Sequence, residues 1–260
     1  MLDGYNLIYR ARYSFAKGPN STIFSFFRSL RPIIEKFSPD KVYFVTEGYP
    51  AQRMQLLPEY KGTREYHDKD DFQRQKHYII DTLKESFPIH VVRHPEHECD
   101  DVIGSLVLNT HAGDDCVVVS TDSDFIQLYN ACSNVSIYNP VRKEFVDQPS
   151  YDYVSWKSLR GDAADNIIGF RGIGDKRALA LIQDDGALDK FLDKDQNREM
   201  FDRNHKLIKF FDLSEEMHAL ERSGPVTNWD EVRKKFTDLE FFAMTNSRSW
   251  KKYIETFQCL

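Results

Sequence analysis

Nine acidic side chains stand where a folded chain could bring them together. Asp3 closes the first short apolar pair in "MLDGYN", Glu47 closes "VYFVTE", and Asp122 and Asp124 close "VVVSTDSD". Glu98, Asp100 and Asp101 open "ECDDVIG", and Asp162 and Asp165 lie in "LRGDAADN". On a helix Glu98 and Asp101 would sit at i and i+3 and share a face, as would Asp162 and Asp165. Acids are ordinary at helix N-termini and in solvated loops, so any one of them alone says little. Converging on one sheet edge, they would raise one another's pKa and oppose folding unless a cation sat among them. An all-oxygen donor set suits a hard ion, Mg²⁺ or Mn²⁺. Two such ions ~4 Å apart would activate a water and stabilise the leaving oxygen in phosphodiester hydrolysis. The sequence therefore predicts one metal site.

The elements that must hold these acids follow from periodicity. "KVYFVTEG", "IHVVRH" and "CVVVSTD" are short, β-branched and bounded by polar residues, and read as strands. "STIFSFFRSLRPIIEKF", "DFQRQKHYIIDTLKESF" and "ECDDVIGSLVLNTHAG" carry apolar residues at helical spacing, the last stopping at Gly113. Alternation of this kind implies an α/β fold with a mostly parallel sheet between helices, and ligands beyond the strands' carboxyl ends. From about Tyr151 strand signals fade and helices joined by short turns take over. A soft boundary near Asp147–Ser150 predicts an α/β domain over 1–148 and a helical region over 149–260. The aromatics of the last 60 or so residues, Phe210, Phe211, Phe241, Phe242 and Trp250, read as core.

At 260 residues, 41% hydrophobic and 29% charged, the chain suits one large domain or one with a smaller partner. No apolar run approaches the ~20 residues of a membrane span, and no secretory signal opens the chain. Four scattered cysteines without C-x-x-C spacing fit a reduced, cytoplasmic chain without structural zinc. His90, His94 and His97 cluster, and are read as a strand end and loop rather than a zinc site. The net charge is −6 with the nine candidate ligands and +3 without them, so an acidic chain does not exclude a nucleic-acid partner.

Two stretches could grip phosphate. "EYKGTREYHDKDDFQRQKH" combines Lys61, Arg64, Lys69, Arg74 and Lys76 with Tyr60, Tyr66 and Phe72, cations for phosphates and aromatics for unpaired bases. Interleaved Glu65, Asp68, Asp70 and Asp71 fit a solvated, ion-paired helix face, and alone the stretch favours that plainer reading. "GFRGIGDKRALALI" is more specific. Gly172, Ile173 and Gly174 form a tight turn into a helix, so backbone N–H groups and the helix N-terminus can meet an anion, with Lys176 and Arg177 beside them.

Taken in order, "LDGYNLIYRA", "LPEYKGTR", "HECDDVIG", "STDSDFIQL" and "LRGDAADNIIGFRGIGDKRALAL" resemble the structure-specific 5′-nuclease family: flap endonucleases, phage 5′-3′ exonucleases and the 5′-nuclease domain of DNA polymerase I. The likeness covers roughly residues 1–185. It implies a PIN-like fold followed by a helix–hairpin–helix (helix-three-turn-helix) element over 165–183 that holds duplex phosphates, often with K⁺. It implies that Asp3, Glu98, Asp100, Asp122, Asp124, Asp162 and Asp165 surround two Mg²⁺ ions, with Asp101 nearby and Mn²⁺ able to substitute. Lys61 and Arg64 would begin a helical arch near 61–76 and steady transition-state charge. The arch itself, about Glu65 to Asp71, would be short and mobile without DNA. Gly4, Arg74, Lys76, Arg171, Gly172, Gly174, Lys176 and Arg177 would face DNA.

The expected activity is Mg²⁺-dependent 5′-3′ exonuclease and flap endonuclease cleavage of flapped, nicked or 5′-ended duplex DNA by a monomer inside a prokaryotic or phage-type setting. An RNA-primer remover acting on RNA:DNA hybrid and a DNA-binding relative with impaired catalysis are the alternatives. Three departures bear on this. Glu47 stands where the family usually has Asp, Arg171 replaces a common proline, and Asp3 has only two residues before it. Two residues supply ~7 Å of strand where five or six are typical. The expectation is that the natural chain starts upstream, or that this strand is a loosely tethered stub.

Overall fold

The β-branched runs become the parallel centre of a seven-stranded sheet in the computed structural model, which describes residues 1–64, 70–184 and 186–260. The strands are β1 (Leu2–Asp3), β2 (Tyr43–Thr46), β3 (His90–Arg93), β4 (Cys116–Val119), β5 (Val135–Asn139) and β6 (Glu144–Phe145). A short hairpin, β7 (Gly161–Asp162) and β8 (Ile167–Ile168), forms a second sheet, and β9 (Glu221–Ser223) completes the first. The order is β6-β5-β4-β1-β2-β3-β9, with β3 to β5 across the centre parallel and the two edge strands antiparallel.

The chain winds outward in one direction through β2 and β3, then returns past β1 to β4 and β5. The strand order reverses between β1 and β4, and the crevice at such a reversal is where open α/β sheets bind ligands. Asp3 ends one of these strands and Asp122 follows the other.

The helices are α1 (Gly4–Arg12), α2 (Ser21–Phe37), α3 (Ala51–Leu56), α4 (Asp70–Ser86), α5 (Cys99–Ser105), α6 (Leu128–Ala131), α7 (Tyr153–Arg160), α8 (Asp175–Gln183), α9 (Ala187–Leu192), α10 (Asp195–Ile208), α11 (Trp229–Asp238), α12 (Phe242–Thr245) and α13 (Ser247–Thr256). In α2, Ile23, Phe26, Phe27, Leu30, Ile33 and Ile34 recur at helical spacing and bury one stripe against the sheet. The α5 helix widens into a π-helical turn over Leu106–Thr110 and stops there, short of Gly113.

One apolar layer joins α1, α2 and α4 to α11–α13, while the other covers the opposite sheet face through α5. The last segment thus returns to the first half's core. Phe236 packs on Phe27 with ring centroids 5.0 Å apart, and Tyr253 Oη donates to the Phe27 carbonyl. Phe241 and Trp250 are buried in this layer as expected, whereas Phe242 turns out to solvent at the start of α12. The fading strand signals past Tyr151 gave no sign of β9, which is three residues long and exposed along its edge. A third apolar cluster, including Leu159, Ile173, Ala178 and Phe201, holds α7–α10 together around the glycine turn.

The expectation of a loosely held first strand is corrected. Leu2 pairs with Phe44 on one side and Val119 on the other, and the Val119 N–H donates to the Met1 carbonyl at 2.9 Å. A two-residue strand is firm here because it lies in the middle of the sheet, with both hydrogen-bonding edges satisfied.

Candidate metal centre

Eight of the nine acids line two adjoining cavities at the sheet's reversal point. A cleft of about 1260 Å³ is bordered by Asp3, Glu47, Glu98, Asp100 and Asp122. Behind it a much smaller pocket is bordered by Asp124, Asp162 and Asp165, and again by Glu98 and Asp100. Separate elements deliver them: β1, the loop after β2, the start of α5, the turn after β4, and the β7–β8 hairpin.

Local hydrogen bonds aim each group. Asp3 ends β1 and caps α1, accepting from the Asn6 N–H at 3.1 Å, while Ser120 Oγ donates to its other oxygen at 2.6 Å. The same hydroxyl accepts the Asp122 N–H at 3.0 Å, so one serine ties the first ligand candidate to the turn carrying the next. Asp122 accepts the Asp124 N–H at 2.9 Å. One Glu47 oxygen accepts the Cys99 N–H at 3.0 Å at the start of α5. The extra methylene of Glu47 therefore lets it cap that helix from the cleft wall.

The two cavities differ in charge balance. Burial, with the Asp122 charge beside it, raises the Asp3 pKa to about 6. Burial and the charges of Glu98 and Asp3 raise Glu47 to about 7 against the pull of Lys61. Asp100 is pushed well up by burial and then by Asp122, Glu47 and Asp3. At the inner pocket's acids Lys157 Nζ bridges Asp124 and Asp162, 2.6 Å from the latter, and burial still raises Asp124 against the pull of Lys157. Burial works against the Asp162 carboxylate, but the Lys157 hydrogen bond and charge outweigh it and hold its pKa below the usual range.

Asp101 is corrected. It is fully buried and gripped by Arg53, whose Nη1 and Nη2 donate to its two oxygens at 2.6 and 2.8 Å. It also accepts the N–H groups of Glu98 and Phe211, which leaves no face for a metal. Gly4 is corrected as well. A Cβ there would lie 2.5 Å from the Val45 carbonyl oxygen, so the missing side chain makes room for β2 and not for DNA.

Lys61 and Arg64 do reach the basin. Lys61 pairs with Glu98, and Arg64 pairs with Asp165 and donates to the Ala164 carbonyl. Lys61 holds a left-handed backbone, φ 56°, with its N–H donating to the Asp165 carbonyl at 3.0 Å. Such a conformation costs a non-glycine residue about 1–2 kcal/mol and tends to persist where a functional geometry needs it.

Lys76 is buried over the Tyr5 ring and borders the cleft, whereas Arg74 is engaged with Asp71, Asn20 and the Pro19 carbonyl. Phe72 is buried beneath Arg12 and Tyr9, so it offers no face for stacking on a base. The proposed arch falls largely on residues 65–69, which lie outside the described residues.

Four partners escaped the sequence reading. Arg53 neutralises Asp101 and touches Glu98 at 3.0 Å. Tyr60, read as a stacking ring, is buried with its hydroxyl 2.9 Å from Glu98 and 3.0 Å from Asp165. Cys99 lies within reach of Asp3 and Asp100, but burial and those charges push its thiol pKa well up, keeping it protonated and the donor set oxygen. Lys157 carried a readable signal, since it shares the buried stripe of α7 with Tyr153 and Val154.

His94 and His97 lie in the buried loop after β3, and together with Glu216 they place ligand atoms within 4.8 Å of one another. His90 stacks on Tyr43, and His97 pairs with Glu216 at 3.2 Å. His94 Nδ1 accepts the Glu96 N–H, so its proton sits on Nε2, which then has no lone pair for a cation.

At the glycine turn, the Ile173 N–H donates to the Phe170 carbonyl at 3.0 Å with Gly172 at φ +76°. This is a type II turn, which requires glycine at the third position and favours proline at the second, where Arg171 stands. Arg171, Gly174, Lys176 and Arg177 are all exposed at the entry to α8.

The model of the 5′-3′ exonuclease N-terminal, resolvase-like domain family matches residues 1–155. The chain belongs to this family. Among its relatives, DNA polymerase I of Chloroflexus aurantiacus is 28% identical over 75% of this chain and 23% of its own. DNA polymerase I of Treponema pallidum is 30% identical over 73% of this chain and 21% of its own. The chain spans about a quarter of the length of such polymerases. A Mycoplasmopsis pulmonis protein named 5′-3′ exonuclease is 28% identical, covering 79% of this chain and 73% of its own.

Among solved structures, a T5 5′-exonuclease with bound zinc is 26% identical with a TM-score of 0.64, over 80% of this chain and 87% of that one. The T5 D15 flap endonuclease with DNA and metal ions shares the fold at a TM-score of 0.66 and 22% identity, over 99% and 97% of the two chains. The 5′-nuclease resemblance and the mostly parallel, helix-flanked fold are thereby borne out.

Proposed function

We propose that this chain is a divalent-cation-dependent 5′-nuclease that hydrolyses phosphodiester bonds near the 5′ ends or branch points of DNA. One observation carries the reading: eight carboxylates from separate elements line two adjoining cavities at the switch of strand direction, beside Lys61 and Arg64. The relatives' names supply the reaction class.

The donor set fits hard cations. Asp3, Glu47 and Asp100 are held above their ordinary pKa by burial and mutual repulsion, a penalty that a bound cation would remove. Bound Mg²⁺, or Mn²⁺ in its place, supplies Lewis-acid activation of a water and charge for the leaving oxygen. Asp3, Asp100 and Asp122 would hold such an ion on the cleft side, and Asp124, Asp162 and Asp165 on the inner side. Lys61 and Arg64 would then turn from carboxylates to the scissile phosphate and balance its growing charge. A water oxygen bonds to phosphorus as the P–O3′ bond breaks, leaving a 5′-phosphate on one product and a 3′-hydroxyl on the other.

The exposed turn at Gly172 and the start of α8 would hold duplex phosphates, with K⁺ at the turn. The protein would act as a monomer, alongside DNA within the cell. No helix among the described residues is long and apolar enough to cross a membrane.

A 5′-labelled flap substrate tests the proposal. Cleavage with Mg²⁺ that stops in EDTA supports it, and no cleavage with either Mg²⁺ or Mn²⁺ would overturn it. A matched RNA:DNA substrate in parallel measures whether primer RNA is preferred.

A further inference from the structure

The acids Asp124, Asp162 and Asp165 of the inner pocket are already paired with cations of the chain. Lys157, 5% exposed, places its ammonium against both Asp124 and Asp162, and Arg64 pairs with Asp165. These are the three acids whose oxygens approach within 4.8 Å of one another, the spacing a single ion would need. On the cleft side, none of Asp3, Asp100 or Asp122 makes an ion pair among the described residues. Their partners are a serine hydroxyl, a thiol and backbone amides.

We propose that Lys157 is a resident occupant of the inner cation position, so that the DNA-free protein takes one divalent ion tightly on the cleft side and a second only by displacing the Lys157 ammonium. This rests on reading the carboxylates as a divalent-cation site. A dication and an ammonium cannot share Asp124 and Asp162 without strong repulsion, since both would lie within a few ångströms in a poorly screened pocket. The stem of Lys157 is fixed by α7, whose first turn is capped by Asp152, but the ammonium sits at the end of four methylenes and can swing. Displaced, it needs another anion, because a buried unpaired charge is costly. The phosphate of an incoming strand is the anion the proposed reaction brings. Loading of the second ion is therefore coupled to substrate, and by linkage the second ion favours substrate in return.

Titration of the DNA-free protein with Mn²⁺, read by the electron paramagnetic resonance signal of the free ion, tests this without reference to activity. Wild type should show one tight site and a second at least about tenfold weaker. Lys157→Met should tighten the second site by about tenfold or more, the scale expected for removing one unit charge a few ångströms away. Asp100→Asn should remove the tight site and Asp162→Asn should leave it in place. Two equal sites in wild type, or an unchanged second site in Lys157→Met, overturns the role of Lys157 while the cation site stands. If Lys157→Met does not fold, the asparagine pair decides: loss of the tight ion in Asp162→Asn overturns the proposal. Absence of any Mn²⁺ binding overturns the cation site itself.

Discussion

Arg53 holds Asp101 through two parallel hydrogen bonds of 2.6 and 2.8 Å, with both side chains buried immediately behind the carboxylate basin. The pair also reaches the far end of α10, where Arg53 Nε donates to the Leu207 carbonyl at 2.8 Å. Removing one member leaves the other charged and buried, so Arg53→Ala or Asp101→Ala should cost about 3–5 kcal/mol. Urea unfolding measures this. Asp101→Asn should still bind Mn²⁺, and loss of that binding in a folded protein would return Asp101 to the ligand set.

Among the described residues, Asp100 and Asp122 face the cleft without an ion-pair partner, so the proposed function assigns their carboxylate charge to cation binding. Asp100→Asn and Asp122→Asn should lower flap cleavage by about two orders of magnitude or more, the scale of losing a transition-state charge stabiliser. Both variants should bind DNA nearly as wild type in a fluorescence-anisotropy titration. The asparagines also relieve repulsion, so their metal-free melting temperatures should not fall. A fall would show that these carboxylates support the fold.

The raised pKa values of Asp3, about 6, and Glu47, about 7, set a pH dependence with a definite sign. Both lie above the ordinary 3.8 and 4.5, so their contribution to stability is complete below those values and is lost as pH rises through 6 to 7. In EDTA the melting temperature should decline from about pH 5 to about pH 8. Mg²⁺ should raise it at the upper end and do little at the lower, where protons compete for the same oxygens. A metal-free protein that gained stability across this window would contradict the environment described for these acids.

Gly172 occupies the left-handed position of the turn, φ +76°, so Gly172→Ala should cost about 1 kcal/mol and misplace the exposed amides. Lys176→Ala with Arg177→Ala should leave folding intact, because both side chains are exposed. The double variant should bind DNA more weakly, and the slope of log K against log salt should become shallower by about one for each phosphate no longer neutralised. An unchanged salt slope would place the duplex elsewhere.

Much of this was legible locally. Strand–helix alternation foretold the parallel sheet, because burying both faces of a sheet demands β-branched runs, and each acid after such a run marked a strand's carboxyl end. The glycine turn was legible because a positive φ selects for glycine wherever it occurs. Other features depended on distant residues meeting. Nothing in "LRGDAADN" says that a lysine one helix earlier lies between Asp124 and Asp162, nor does "ECDD" distinguish the open Asp100 from the Asp101 that Arg53 occupies. Asp3 looked unsupported because a strand's support was counted along the chain, when it comes from β2 and β4 on either side. The sequence by itself determined which residue types could do the chemistry and which elements would carry them, since those follow from short-range periodicity. Only the tertiary structure decided which carboxylates are free for a cation and which already have one, because charge neutralisation depends on distance in space.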